Sequence, residues 1–262
     1  MRAQVASLDK QVRARTAVAL AQGILVGRYR LAHADDAFAL MRDASQKANI
    51  KLHQIAAALA AAPAPAPGAP VWFTARTHTA PPSLAGMYAG DTLDPRNQQQ
   101  VLTAALTRVR DITGAEAGNV QLAEAGLLRL ERHHEHPRAF TEYFAFVEDG
   151  TACSRAARAG RQVTVRDIAT ADVFDETTRQ VILDSGSRAC HSVPLTGSDG
   201  VARGVISAHL SRPTTGFGQT RLAALQQAQR TVGAWLQWYR DTVLLDVLET
   251  LHHRAMTTQA HP

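Results

Sequence analysis

The run AAAPAPAPGAP, from Ala60 to Pro70, constrains this chain more than any other stretch. Each proline fixes its own φ, removes a backbone N–H and pushes the residue before it toward extended geometry. Neither a helix nor a central strand passes through such a tract, so the chain is expected to fold as separate bodies on either side of it. The composition shift extends to Pro81-Pro82 and reads as a semi-rigid, polyproline-like connector. Val71-Trp72-Phe73 interrupts it. Two aromatics are not expected to stay solvated in a linker, so Trp72 and Phe73 should dock on a neighbouring domain or a partner chain.

The part before the tract is small and basic. Residues 1–61 hold nine Lys or Arg and four Asp or Glu, which accounts for the whole chain's net charge of +5. All three lysines, Lys10, Lys47 and Lys51, lie there. A basic module on an otherwise neutral protein is the footprint of a polyanion-binding surface; a merely solvated helical surface is the alternative.

Helical periodicity dominates this region. Ala17, Leu20, Ala21, Ile24 and Leu25 form a first apolar stripe, broken from Gly27 to His33. Asp35 and Asp36 suit the N-terminus of a second helix with the stripe Ala37, Phe38, Met41, Ala44 and Ala48. A third helix from about Lys51 turns Leu52, Ile55, Ala56 and Leu59 inward. No such helix buries enough surface alone, so a three-helix bundle is expected. Upstream, Val5, Leu8 and Val12 make a short a/d pattern, either a dimerising segment or the solvated start of a long helix.

These helices resemble the ANTAR domain of bacterial transcription antiterminators. The resemblance is carried by Ala21, Gly23, Ile24 and Leu25, Arg28-Tyr29, Ala37-Phe38, Arg42, Ser45-Gln46, Asn49, Lys51-Leu52 and Ile55-Ala56. Gln22 stands where the family usually has Lys, Val26 where it usually has Met, and His33 near the usual Ser/Thr cap. The resemblance implies binding to stem-loop RNA in nascent transcripts, and dimerisation through a helix preceding the bundle. RNA recognition needs cations for phosphates and polar side chains for unpaired bases. Arg28, Arg42, Lys47 and Lys51 are the expected cations, with Tyr29, Ser45, Gln46 and Asn49 as base or sugar contacts. Arg42, Ser45 and Asn49 share one side of the second helix by their spacing. Gly23 would permit close approach of RNA or of another helix.

A second domain begins near Asp91. A helix is expected over Leu93 to Ile112, stopped by Gly114. Gly118 to Leu122 and Leu127 to Glu131 read as a hairpin, Gln162 to Val165 as a strand, and Ala189 to Leu195 with Ala202 to Leu210 as a second hairpin around Ser198-Asp-Gly. Helices are expected over Phe140 to Val147, over Asp175 to Ser185, and from Gln219 to about His253. This order predicts an α+β fold, a central antiparallel sheet with helices on its faces. Gly118 to Leu122, Thr151-Ala-Cys, Val163 to Ile168, Ser187 to Leu195, Gly204 to His209 and Arg212-Pro resemble the GAF family of sensor domains. The resemblance implies a small-molecule or signal sensor, or a closed dimerisation module; a pocket is expected between the sheet and the helices around Phe140 to Val147 and Asp175 to Ser185, lined partly by Phe144 and Phe174. The expected organisation is a helical bundle at 1–61, a linker at 62–90, a GAF-like domain at 91–240 and a helical extension at 241–262.

Chemical motifs are few. On a strand His134 and His136 would share a face, and paired histidines bind zinc; further ligands are missing, so solvated loop histidines and no metal are expected. Cys190 and His191 are adjacent on a strand and point to opposite faces, which prevents a thiol–base pair. A redox switch between Cys153 and Cys190 and haem ligation by His209 are rivals to small core residues and a satisfied histidine. Two cysteines make no disulfide framework, no signal peptide is seen, and no apolar run is long enough to cross a membrane, so a cytoplasmic, non-enzymatic protein is expected. The cofactor is unknown. The predicted function is an antitermination regulator whose GAF domain senses a small-molecule or redox signal and gates RNA binding. The alternative is a sensor acting through protein contacts without RNA. A homodimer is expected from an apolar face running from Leu225 through Val232, Leu236, Tyr239, Val243 and Val247 to Leu251.

Overall fold

A computed structural model describes the backbone of residues 2–259 and the side chains of residues 16–257. The a/d positions Val5, Leu8 and Val12 lie outside the described side chains. The chain divides into two compact units: Leu8–Ala80 together with the chain from Trp238 onward, and Pro81–Gln237.

The helical unit starts with α1 (Arg2–Tyr29), α2 (Ala34–Ala48) and α3 (Leu52–Ala61). The break expected at Gly27 does not occur. α1 runs on to Tyr29, and the chain turns at Arg30, whose φ is +49°; a glycine costs a helix only about 1 kcal/mol, which packing overrides. His33 caps α2, and the Asp36 carboxylate accepts from its backbone N–H at 3.1 Å. At the other end Asn49 adopts φ +53°, the left-handed geometry that Asn tolerates after a helix. Ile50 N–H then bonds Ser45 O at 3.1 Å, and Ser45 Oγ donates to Ile50 O at 2.6 Å. Ala37, Met41 and Ala44 face the core as expected, but Phe38 does not: it is exposed.

A C-terminal helix completes this unit. A π-helical turn (Tyr239–Leu244) leads into α9 (Leu245–Gln259), which packs on α2 and α3. Val243, Val247, Leu248 and Leu251 are buried there, while Leu225, Val232 and Leu236 are buried in the other unit. The face that predicted a dimer is thus covered within one chain, and that argument for a dimer is removed. The proline tract is likewise no free spacer. Trp72 is buried, its Nε1 donating to Pro63 O at 2.7 Å. The Glu249 carboxylate accepts from the Trp72 and Phe73 N–H groups at 2.9 and 3.1 Å. Arg76 pairs with Asp246, and Trp238 Nε1 donates to Thr79 O at 2.9 Å. Residues 63–79 form a strap along the C-terminal helix of their own chain.

The second unit is an α+β fold around six antiparallel strands in the order β3-β2-β1-β6-β5-β4. These are β1 (Ala117–Glu124), β2 (Leu127–His134), β3 (Phe146–Val147), β4 (Val163–Val165), β5 (Ala189–Thr196) and β6 (Ala202–Leu210). Ala125 (φ +49°) and Gly126 (φ +80°) make the tight β1–β2 turn. α4 (Gln98–Thr113) packs on β1, β2 and β6. α8 (Gln219–Trp238) comes so close to β5 that a Cβ at Gly233 would collide with the Thr196 backbone. The opposite face is covered by α5 (Arg138–Tyr143), α6 (Ala152–Ala159) and α7 (Glu176–Asp184). Two expectations need correction. The helix predicted over Phe140 to Val147 stops at Tyr143, because Phe146 and Val147 add an edge strand to β2. α6 was not foreseen; Thr151 caps it by accepting from Ser154 N–H at 3.1 Å.

Candidate functional site

The eight residues expected at RNA fall into three groups. Arg42, Gln46 and Asn49 are exposed on one flank of α2, and Lys51 is exposed at the N-terminus of α3. Arg42 has no ion-pair or hydrogen-bond partner among the described residues; Asp43 pairs instead with Lys47 and Arg254. Ser45 lies on the same side of α2 but is occupied by the turn into α3. Phe38, one turn before Arg42, joins this edge with 37% of its surface exposed. An aromatic ring beside a guanidinium and amides is a suitable platform for an unpaired base.

Lys47 sits apart from that edge, on the flank held by Asp43 at 3.4 Å. Arg28 and Tyr29 are drawn inward. The Arg28 guanidinium lies over the Trp72 ring, 4.6 Å from its centroid, and its Nη1 is buried without a hydrogen-bond partner. Tyr29 is 1% exposed, so it is a core residue and no surface contact. Its hydroxyl lies 2.7 Å from His252 Nδ1, while His252 Nε2 lies 2.9 Å from Ala69 O. A carbonyl only accepts, so Nε2 carries the ring proton and Tyr29 donates to Nδ1. Burial pushes the Tyr29 phenol above its ordinary pKa, against the pull of the Arg28 charge. Gly23 meets nothing that a Cβ would disturb, so packing does not require it.

The sheet unit holds a different kind of site. Along β1, β5 and β6 the residues alternate between two buried faces. Val120, Val193, Ile206 and Ala208 give one an apolar surface. Asn119, Gln121, Ser192, Ser207 and His209 give the other a polar surface, buried beneath α5–α7. Together with Phe140, Phe144, Phe174 and the start of α6 they enclose a cavity of about 30 Å³. Phe144 and Phe174 are both in its lining. Buried polar groups normally find partners, but Asn119 Oδ1, Gln121 Oε1 and His209 Nδ1 have none among the described residues.

The histidines and cysteines are shaped by burial. The strand carrying His134 ends there, and Glu135 takes φ +54°. His136 consequently turns inward and stacks on Phe140 at 3.8 Å, where a solvated loop residue was expected. Desolvation lowers its pKa to about 2 and that of His209 to about 4, so both are neutral at pH 7. Cys153 and Cys190 are free thiols lining the cavity. Burial raises Cys190 to about 12, which leaves it almost no thiolate. His191 points away from Cys190 and is satisfied by Thr164 Oγ1 at 2.8 Å and Gln162 Oε1 at 3.0 Å.

The described chain thus has exposed cations along α2 and the start of α3 in its helical unit and a lined cavity in its sheet unit. The ANTAR domain model matches residues 6–59 and the GAF domain model residues 97–234. The latter is more than half of the chain, so the chain belongs to the GAF domain family, with an ANTAR domain, an RNA-binding antitermination domain, ahead of it. No curated protein matches. Similar solved structures include a GAF domain/HD domain protein from Geobacter sulfurreducens, 11% identical over 54% of this chain and 92% of that one, TM-score 0.46. The PixJ GAF domain of Thermosynechococcus elongatus, in its blue-light absorbing form, is 17% identical over 60% and 94%, TM-score 0.45. Free methionine-R-sulfoxide reductase from Neisseria meningitidis is 18% identical over 54% and 78%, TM-score 0.43. Among the described residues no helix is long and apolar enough to cross a membrane.

Proposed function

We propose that this protein is a transcription antitermination regulator that binds stem-loop RNA along the exposed edge of α2 and the start of α3, and that ligand occupancy of the GAF cavity gates this binding. The observation that carries the reading is the row Phe38, Arg42, Gln46 and Asn49 on one exposed flank, with Lys51 following. Arg42 and Lys51 supply phosphate contacts, Phe38 a stacking surface, and the two amides hydrogen bonds to unpaired base edges. Acting on nascent transcripts places the protein in the cytoplasm.

Arg28 and Lys47 take lesser parts, since Trp72 covers one and Asp43 neutralises the other. Tyr29 ties the end of α1 to α9 through His252. The chain passes between its two units at 7–8, at 80–81 and at 237–238, and a signal from the cavity would reach the α2 edge through such joints.

Filter binding of the full chain to a stem-loop RNA across a salt series tests the reading. Two phosphate contacts give a slope of about −1.4 to −1.8 in log K against log salt. A flat dependence with no binding at low salt would favour a protein-interaction module instead.

A further inference from the structure

The cavity's donors and acceptors select a kind of ligand, an inference that rests on the sensing role proposed above. Asn119, Gln121 and His209 line the space and are 3%, 1% and 6% exposed, and each carries a buried polar atom with no partner among the described residues. The Gln121 amide is fixed by its other end, where Nε2 donates to Phe144 O at 3.2 Å, leaving Oε1 as an acceptor. Asn119 Oδ1 is a second acceptor. Thr151, Ala152 and Cys153 bring the first turn of α6 into the lining. Thr151 Oγ1 takes the Ser154 N–H, and the earlier N–H groups have no acceptor within the helix. The lining therefore combines acceptors from the sheet with the first turn of α6, whose backbone N–H groups are donors by chemistry.

Among the described residues no charged side chain lines the space. A buried carboxylate, phosphate or ammonium would have no counter-charge there, and its desolvation would oppose binding. Phe140, Phe144 and Phe174 add flat apolar walls. A volume of about 30 Å³ on this measure corresponds to about two water-sized positions, the scale of a molecule with a few heavy atoms.

We propose that the GAF cavity binds a small uncharged polar molecule of the urea type, donating N–H to Asn119 Oδ1 and Gln121 Oε1 and accepting at its carbonyl oxygen from the start of α6. His209 Nδ1, which donates or accepts according to its tautomer, adds a third polar contact. Four-atom ligands have a ceiling on affinity, so the dissociation constant is expected at tens of micromolar or weaker.

Four Y-shaped molecules of nearly equal size isolate the chemistry: urea, acetone, acetate and guanidinium. Each is titrated into the full chain below 20 mM, far under denaturing concentration, with heteronuclear NMR and calorimetry as readouts. Saturable binding of urea, at least tenfold tighter than the other three, is the expected result, with shifts centred on Asn119, Gln121 and His209. Asn119→Leu and Gln121→Met should each weaken it at least fivefold. If acetate or guanidinium binds there instead, the urea-type assignment is overturned while sensing by the cavity stands. If none of the four binds and both variants melt higher than the parent, the polar face is only a hydrated defect, and the sensing role falls with the ligand. Discrimination among the four by the unmodified chain decides the assignment even if a variant fails to fold.

Discussion

The edge of α2 and the inner face of the GAF sheet are both rows of polar side chains, built on opposite terms. Asn49 ends a helix in solvent beside Arg42 and Lys51; Asn119 sits in a central strand, buried beside Gln121 and a neutral His209. A polyanion is too large to be enclosed, and its charge is met by cations that keep their own hydration. A small molecule is enclosed, and burial there removes every charge that lacks a partner. In the proposed roles one polar vocabulary serves two sites, and exposure decides which.

The strap offers the strongest way to disturb this division. Trp72→Ala removes a buried ring from above Arg28 and beside His252. The helical unit should lose about 3–5 kcal/mol, read by thermal or urea melting, while the sheet unit's transition stays put. A loss under about 1 kcal/mol would mean that the strap only rests on the helices.

Acid should act on the other region. His209 and His136 hold pKa values of about 4 and about 2 in the fold, below the ordinary 6.5. Between those values the unfolded chain binds more protons, so stability is full above about pH 6.5 and declines as the pH falls. By pH 5 the decline should be about 2 kcal/mol for each histidine. His209→Gln should remove about 2 kcal/mol of that decline from the sheet unit at pH 5 and leave the helical unit unaffected.

Smaller effects sharpen the reader. Phe38→Ala should weaken stem-loop binding by about tenfold if the ring stacks on a base, with the melting temperature nearly unchanged because the ring is exposed. Lys47→Ala should change RNA affinity less than about threefold, since Asp43 already holds that ammonium. A larger loss would move the RNA surface to the other flank of α2.

Much of this fold is legible in the sequence where the pattern is local. The β5–β6 hairpin shows as apolar alternation on both sides of Ser198-Asp-Gly, and the proline tract marks the end of α3. The misses share one cause, a distant partner. α9 fills out the helical unit through contacts with α2 and α3 that no nearby residue announces. His136 is buried because Glu135 turns the strand, and a left-handed Glu has no sequence signal. Phe38 fits an apolar stripe by spacing, yet its side of α2 stays open. The polar cavity face is the most instructive miss: Asn119-Val-Gln-Leu looks like a strand with one side in water. The available signal was that the same alternation recurs in β5 and β6, two strands too apolar to sit at a solvated edge.

The most direct test of the reader is Arg42→Glu combined with Lys51→Glu in the full chain. Both side chains are exposed, so the melting temperature should move little, with a stability change within about 0.5 kcal/mol per site. Stem-loop affinity should fall by more than tenfold and the salt slope should shrink by about 1.4 to 1.8. A folded double variant that binds the same RNA with unchanged affinity and unchanged salt slope would contradict the assignment of this edge.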